Sequence, residues 1–174
     1  DYSMDYTQAV MKKPAYTLAH GITMQALGKP VYEKAMQQHR AYEEALQACG
    51  MKLTVLWEDP QYPDSCFVED TAILTGSTGA IISHPGHPNR RGEEKQLERI
   101  LAQELLIWGR ITEPGTVDGG DVVRTEDCYF IGLSGRTNKE GALQLRGTLE
   151  KIGYRTTFIP VPATVLHLTT GSGY

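Results

Sequence analysis

The sequence PDSCFVED at residues 63–70 places three acidic residues and one aromatic residue directly before an apolar run, TAILT at residues 71–75. The apolar run predicts a buried strand. Carboxylates held close together at the start of such a strand repel one another, and a cation between them relieves that repulsion. Guanidinium is well suited, because two carboxylates can meet its fork of N–H donors edge-on. The alternative is an acidic surface loop that begins with a turn at Pro63-Asp64.

Composition and charge limit the classes of partner. The chain has 174 residues, of which 40% are hydrophobic, which is enough for the core of one domain. Its formal net charge is −4, so no basic field attracts nucleic acid or an anionic membrane. We therefore predict no nucleic-acid or membrane partner, and the charge balance favours a cationic small molecule.

Targeting features are missing from the sequence. No apolar run approaches the roughly 18 residues that a membrane span requires, and the N-terminus lacks the pattern of a signal peptide. The first residue is Asp1 rather than Met, so we expect some trimming at that end. The three cysteines show no C-x-x-C spacing, which predicts reduced thiols and a cytoplasmic location.

Hydrophobic periodicity predicts an α/β chain. Helices are predicted over residues 31–49, 93–106 and 139–151. Strands are predicted over residues 15–19, 51–57, 71–75, 80–84, 106–111, 122–124, 129–133 and 155–160, with a last apolar run at 165–168. The order of helix, strand, acidic loop, two strands, arginine-containing loop and helix occurs twice, and a third copy begins.

Equivalent positions of this repeat carry chemically useful side chains. Asp118 follows Asp70 by 48 residues, and His167 follows Asp118 by 49. Arg90 and Arg136 lead into successive helices. If the repeated units surround an axis, equivalent joints converge on it. We therefore predict that Asp70, Asp118 and His167 share one central site.

Each candidate also has an ordinary structural interpretation. His167 lies in an apolar run, where a hydrogen-bonded core histidine is common, but a carboxylate partner such as Asp118 would keep its imidazole basic. Arg90 and Arg136 could bind a substrate carboxylate through bidentate hydrogen bonds. The alternative is that they are solvent-exposed arginines at the starts of helices. His84 and His87 lack a nearby third ligand, so we predict no zinc site.

None of the three cysteines is a convincing nucleophile. Cys49 and Cys128 have the pattern of packing residues. Cys66 stands among acidic residues, which suppress the thiolate that nucleophilic attack requires.

Five motifs in order carry a family resemblance: PDSCFVED, HPGHPNRRGE, TVDGGDV, YFIGLSGRTNKEG and LHLTTG. Together they resemble the dimethylarginine dimethylaminohydrolases of the guanidino-group-modifying (pentein) superfamily. The resemblance covers nearly the whole chain from about Ala15. It implies a pseudo-fivefold α/β propeller of ββαβ units, of which residues 1–174 would form about three of five units in a single incomplete catalytic domain.

The resemblance also implies an activity and a set of site residues. Family members hydrolyse N-methylated arginines to citrulline and a methylamine, without cofactor or metal. His167 would protonate the departing amine and then activate water against a cysteine thiouronium intermediate, while Asp118 would orient His167. The substrate-binding candidates are Asp64, Phe67, Glu69, Asp70, Arg90, Arg136, Ile22 and Thr170. Of these, Asp64 and Asp70 would bind the guanidinium, and Arg90 and Arg136 the amino-acid carboxylate.

Departures from the family pattern limit what these residues can do alone. The family's attacking cysteine lies near the C-terminus, beyond Tyr174, so we expect the chain as given to be inactive. His84 replaces the usual arginine before Pro-Gly, and Asp118 stands where bacterial relatives often have glutamate. The alternatives are a non-catalytic relative that binds arginine-like ligands and an arginine deiminase-like enzyme.

An open propeller would expose unpaired strand edges. We therefore expect the 174 residues alone to be unstable. They would be completed by a missing C-terminal segment or by a second copy in a homodimer.

Overall fold

The computed structural model describes residues 6–23 and 26–172. The chain divides into two compact units, Asp1–Val68 and Glu69–Tyr174. The described part of the first unit holds one two-stranded sheet, and that of the second holds two three-stranded sheets.

The first unit is a strand, helix and strand. Strands β1 (Gln8–Lys12) and β2 (Lys52–Leu56) pair in parallel, and helix α1 (Tyr32–Ala48) connects them. The helix ends one residue before the predicted Cys49, and the following Gly50 adopts a positive φ of 83° that a side chain would disfavour. The Met51 N–H then donates to the Leu46 carbonyl over 3.1 Å, which closes the last turn.

The strand predicted over residues 15–19 is wrong. Tyr16–His20 form a short 3-10 helix instead, and the strand of this region is β1, which the prediction missed. The Leu18 N–H donates to the Ala15 carbonyl, and the Gly21 N–H donates to the Leu18 carbonyl. These local bonds use the amides that a strand would offer to a neighbouring strand.

The second unit begins with a strand, strand, helix and strand. These are β3 (Ala72–Thr75), β4 (Gly79–Ile82), α2 (Glu94–Leu101) and β5 (Leu106–Arg110). Strand β4 lies in the middle of the sheet, antiparallel to β3 and parallel to β5. Helix α2 ends five residues earlier than the predicted helix.

The same arrangement follows a second time. It comprises β6 (Val122–Arg124), β7 (Cys128–Leu133), α3 (Lys139–Lys151) and β8 (Arg155–Pro160), with β7 in the middle, antiparallel to β6 and parallel to β8. Two ββαβ units with identical pairing confirm the predicted repeat.

One core joins the two repeats of this unit. Its buried residues are Ile73, Ile81, Ile111, Val117, Tyr129, Ile131, Ala142, Leu145 and Leu149. The Tyr129 hydroxyl donates to the Leu74 carbonyl over 2.9 Å, so its polar end is satisfied within the core. The core therefore fixes the two ββαβ repeats against each other.

Equivalent joints of the repeats have the same local structure. Short 3-10 helices occur at Val68–Thr71, Gly119–Asp121 and Leu168–Gly171. Asp70 lies within the first, while Asp118 and His167 immediately precede the other two. The last apolar run therefore leads into a 3-10 helix and is not assigned as a strand.

Asn138 caps the N-terminus of α3. Its side-chain oxygen accepts hydrogen bonds from the Gly141 and Thr116 amides at 2.8 and 3.0 Å, and its amide nitrogen donates to the Pro114 carbonyl. Asn138→Ala is expected to lower the free energy of unfolding by about 1–2 kcal/mol, because an N-cap is lost together with a loop anchor. Urea denaturation measures the change, with the adjacent exposed Lys139→Ala as control. Equal losses in the two variants would contradict a capping role.

Among the residues described, no helix combines the length and apolar character needed to cross a bilayer.

Candidate active site

His167 and Asp118 form a buried hydrogen-bonded pair. His167 Nε2 lies 3.0 Å from Asp118 Oδ2, and the two residues are 9% and 0% exposed. The other oxygen of Asp118 accepts the Gly86 N–H over 2.9 Å. Both carboxylate oxygens therefore have a partner, which fixes the plane of the acid and the direction in which it meets the imidazole.

Asp70 completes a cluster of three groups with this pair. Its Oδ1 accepts the Gly120 N–H over 2.9 Å and lies 3.9 Å from His167 Nε2. Its Oδ2 accepts a hydrogen bond from Arg90 over 2.6 Å. The structure thus brings together the three residues that the repeat spacing predicted to converge.

Glycine at residue 120 permits this close approach. A Cβ there would lie 2.6 Å from His167 Nδ1 and 2.9 Å from Asp70 Oδ1. Any side chain would displace the imidazole or the carboxylate. The second glycine of the Gly119-Gly120 pair is therefore required by the site.

Electrostatic surroundings favour the protonated form of His167. Burial lowers the pKa of His167, but the hydrogen bond with Asp118 and the negative charges of Asp70, Asp121 and Asp118 outweigh it and raise the pKa above its ordinary value. The imidazole can therefore hold a proton at a pH where an isolated histidine has lost it.

Arg90 is part of the buried ion network. It pairs with Asp70 and, through Nε and a terminal nitrogen, with both oxygens of Glu93. Burial lowers the pKa of Arg90, but the contacts with these two acids outweigh burial and raise the pKa above its ordinary value. The predicted contact of Arg90 with a substrate carboxylate stays a prediction, and its described contacts are with acids of the protein.

Arg136 lies nearer to the surface. Its guanidinium is 4.0 Å from Asp118 Oδ2, and its side chain is 15% exposed. It follows β7 in a turn at residues 134–138, directly before α3. Of the two arginines predicted to bind a carboxylate, Arg136 has the more accessible charge.

Three other candidates lie in the first unit. Both oxygens of Asp64 face the Ile22 N–H, at 3.2 and 3.0 Å, so this buried acid anchors the segment that contains Ile22. Phe67 is 49% exposed. The structure joins Asp64 to Ile22 and leaves the phenyl ring accessible, and the predicted contacts of all three with substrate stay predictions.

Glu69 and Thr170 are exposed. The Thr170 amide donates to the His167 carbonyl over 3.1 Å, so this threonine lies one turn after the histidine. The Glu69 carbonyl would lie 2.0 Å from a Cβ at Gly119, so the first glycine of the pair is also closely approached.

Two acids of the network were missed by sequence analysis. Glu93 pairs with Arg90 three residues earlier, a spacing that could have indicated a pair within the helix entry. Asp121 is completely buried and accepts hydrogen bonds from Ser134, Thr137 and Leu168. Its place in the TVDGGDV motif was the only sequence signal.

One group of possible metal-binding atoms occurs among the residues described. Atoms of Asp70, Asp118 and His167 lie within 4.8 Å of one another. Asp118 is hydrogen-bonded to His167, and Asp70 is paired with Arg90. Because these groups satisfy one another as an ion network, we assign no metal to them.

A family model described as N,N dimethylarginine dimethylhydrolase, eukaryotic, matches residues 20–170. The chain belongs to the dimethylarginine dimethylaminohydrolase family. The predicted family is thus confirmed over most of the sequence.

Relatives of known name support this membership. The N(G),N(G)-dimethylarginine dimethylaminohydrolase of Pseudomonas aeruginosa is 42% identical over 97% of this chain and 66% of its own length. The enzyme of the same name from Streptomyces coelicolor is 36% identical over 95% of this chain and 64% of its own. The chain therefore spans about two thirds of the length of these relatives.

Solved structures show the same fold. A cysteine-to-serine mutant of the Pseudomonas aeruginosa protein, complexed with citrulline, matches with a TM-score of 0.85 and 41% identity over 94% of this chain and 64% of its own. The N-terminal domain of the cyanobacterial arginine dihydrolase ArgZ matches with a TM-score of 0.80 at 16% identity, over 94% of this chain and 61% of its own, a likeness of fold alone. These matches and the two ββαβ units confirm the predicted α/β fold of the pentein class.

Proposed function

We propose that the full-length protein hydrolyses N-methylated arginine to citrulline and dimethylamine through a cysteine thiouronium intermediate. The observation that carries the proposal is the cluster of His167, Asp118 and Asp70. It provides a proton-carrying imidazole, an acid that orients it, and a second acid suited to a guanidinium. The dimethylarginine hydrolase names of the Pseudomonas and Streptomyces relatives support this substrate class.

The first half-reaction uses His167 as an acid. A thiolate attacks the guanidinium carbon and forms a C–S bond, after which the C–N bond to dimethylamine breaks. His167 donates its proton to the departing nitrogen, which needs that proton to leave as a neutral amine. The raised pKa of His167 supports this role, since the imidazole is then protonated over a wider pH range.

The second half-reaction uses the same histidine as a base. Neutral His167 accepts one proton of a water molecule, whose oxygen attacks the thiouronium carbon. The C–S bond then breaks to give the thiolate and citrulline, and the second proton of that water passes to solvent. Asp118 engages Nε2, so we assign the proton transfers to Nδ1. Glycine at residue 120 packs against that nitrogen without a side chain, since a Cβ there would lie 2.6 Å from it.

Protein groups of opposite charge would bind the two ends of the substrate. By the family resemblance, Asp70 and Asp64 would bind the guanidinium, Phe67 and Ile22 would line the site, and Thr170 would lie beside His167, with Glu69 as a further substrate-binding candidate. Arg136, with Arg90, would bind the amino-acid carboxylate through N–H donors.

The nucleophile is proposed to come from outside these 174 residues. Cys49, Cys66 and Cys128 all lie within the described residues, and none forms a disulfide. Cys128 lies on β7 with its sulfur 3.9 Å from the Thr157 hydroxyl on β8. The proposal also includes a single propeller-shaped catalytic domain, a cytoplasmic location, no cofactor, and completion by further residues or by a homodimer.

The test is an intact mass of the purified full-length protein, paired with citrulline release from asymmetric dimethylarginine. A mass well above the 19.3 kDa of these residues, together with turnover, is the expected result. Turnover of arginine with release of ammonia, and none of dimethylarginine, would replace the proposal with an arginine deiminase. Saturable binding of dimethylarginine without turnover would instead indicate a non-catalytic protein that binds arginine-like ligands.

A further inference from the structure

Asp121 is a buried acid whose partners are all hydrogen-bond donors. Its Oδ2 accepts the hydroxyls of Ser134 and Thr137 at 2.6 and 2.7 Å, and its Oδ1 accepts the Leu168 N–H at 3.0 Å. A carboxylate is the side chain of this size that accepts at both ends, whereas an amide offers only one acceptor atom. The arrangement therefore favours a carboxyl group over an amide, although burial outweighs these hydrogen bonds and raises the pKa of Asp121 above its ordinary value.

The partners of Asp121 belong to segments that contain site residues. Leu168 immediately follows His167, and Ser134 and Thr137 flank Arg136. The Thr137 hydroxyl also accepts the Asp118 N–H over 3.2 Å, and the Ser134 hydroxyl accepts the Arg136 N–H over 3.0 Å. Asp121 thus connects the segments of His167, Asp118 and Arg136.

We propose that Asp121 is a positioning residue: its carboxylate holds the backbone after His167 against the turn that contains Arg136, and so sets the imidazole against Asp118. This inference rests on the proposed function for its kinetic consequence, but its geometric consequence is independent of turnover. Asp121 has no assigned contact with substrate, and it acts through the chain segments that it joins.

The network has little capacity to adjust. Asp121 is 0% exposed, so water cannot replace a lost partner without opening the site. Thr169 adds a parallel contact, since its hydroxyl donates to the Gly120 carbonyl over 2.8 Å. The turn after His167 is thus tied to Gly120 and Asp121, which lie on one short 3-10 helix.

The acids whose charges act on His167 include Asp70, Asp118, Asp121 and Glu69, and Arg136 faces Asp118 from the next turn. Removal of the Asp121 charge therefore shifts the pH profile of His167 even if no atom moves. A shift along the pH axis leaves the plateau of kcat unchanged, whereas displacement of the imidazole lowers the plateau. The height of the kcat plateau therefore distinguishes a positioning role of Asp121 from a purely electrostatic one.

The experiment uses Asp121→Asn in the full-length protein, with Asp127→Asn as matched control. Asp127 is an exposed acid of the same unit, paired with Arg155. Two readouts are recorded: the nuclear Overhauser effect between the His167 ring and the Gly120 Cα protons, and the plateau kcat with dimethylarginine. We expect Asp121→Asn to weaken the Overhauser effect and to lower the plateau by about 10²-fold, the usual cost of a displacement near 1 Å. Asp127→Asn should leave both unchanged.

A second pair of variants covers the case in which Asp121→Asn does not fold. Thr137→Val removes the hydroxyl at constant size, and Thr137→Ser keeps it. We expect only Thr137→Val to weaken the Overhauser effect and lower the plateau. An unchanged Overhauser effect in folded Asp121→Asn or Thr137→Val would overturn the positioning role. Absence of turnover in the unsubstituted protein would instead count against the proposed function, and the Overhauser measurement would still decide the role of Asp121.

Discussion

Replacement of His167 with glutamine is expected to lower kcat for citrulline formation by about 10²–10⁴-fold, the range that general acid–base catalysis supplies. Glutamine can still donate a hydrogen bond to Asp118, but it cannot carry a proton to the leaving amine or accept one from water. Steady-state citrulline release by the full-length protein measures the loss. His39→Gln on α1 is the control, because His39 pairs with Glu43 within that helix.

The raised pKa of His167 determines how the stability of the fold and the rate of turnover depend on pH. The pKa of His167 is raised in the folded protein, so its ion pair stabilises the fold fully below the unfolded pKa of about 6.5. That stabilisation is lost as the pH rises through the folded pKa.

Asp118→Asn removes the hydrogen-bonded charge and is expected to move the His167 limb of the pH–rate profile to lower pH. Equal turnover of His167→Gln and unsubstituted protein would exclude His167 from the proton transfers.

The convergence of Asp70, Asp118 and His167 was predictable because it follows from a repeat. Equal spacing places these residues at equivalent joints, and each joint has a 3-10 helix beside it. The core patterns of the ββαβ units are local and strongly periodic, so helix α3 and strands β6 and β8 were predicted with the bounds that the structure has.

Spacing could have indicated only some partners of the buried charges. The three-residue interval between Arg90 and Glu93 is one such signal, whereas the contacts of Asp121 depend on how the turn before α3 directs its hydroxyls. The role of Arg90 shows the same limit. The family resemblance implies that Arg90 binds a substrate carboxylate, which stays a prediction, and the structure adds contacts with Asp70 and Glu93 that were not predicted. Strand β1 was missed because Gln8–Lys12 has a weak alternation, with only its last two residues buried.

Arg90→Leu is expected to lower the free energy of unfolding by about 3–5 kcal/mol, the usual cost of breaking a buried ion pair from one side. The substitution leaves the carboxylates of Asp70 and Glu93 buried without their cation, and burial penalises an uncompensated charge more than it penalises a pair. Urea denaturation of the full-length protein measures the change. The surface pair of Arg155 and Asp127, 76% and 66% exposed, provides the control, since Arg155→Leu should cost less than about 1 kcal/mol.

A double variant separates charge from packing in this network. The double variant carries both Arg90→Leu and Glu93→Leu. It removes one of the two buried carboxylates that Arg90 neutralises and adds apolar contact, so it should be more stable than Arg90→Leu alone. If the double variant is less stable than the single one, the loss comes from the packing of the long side chains.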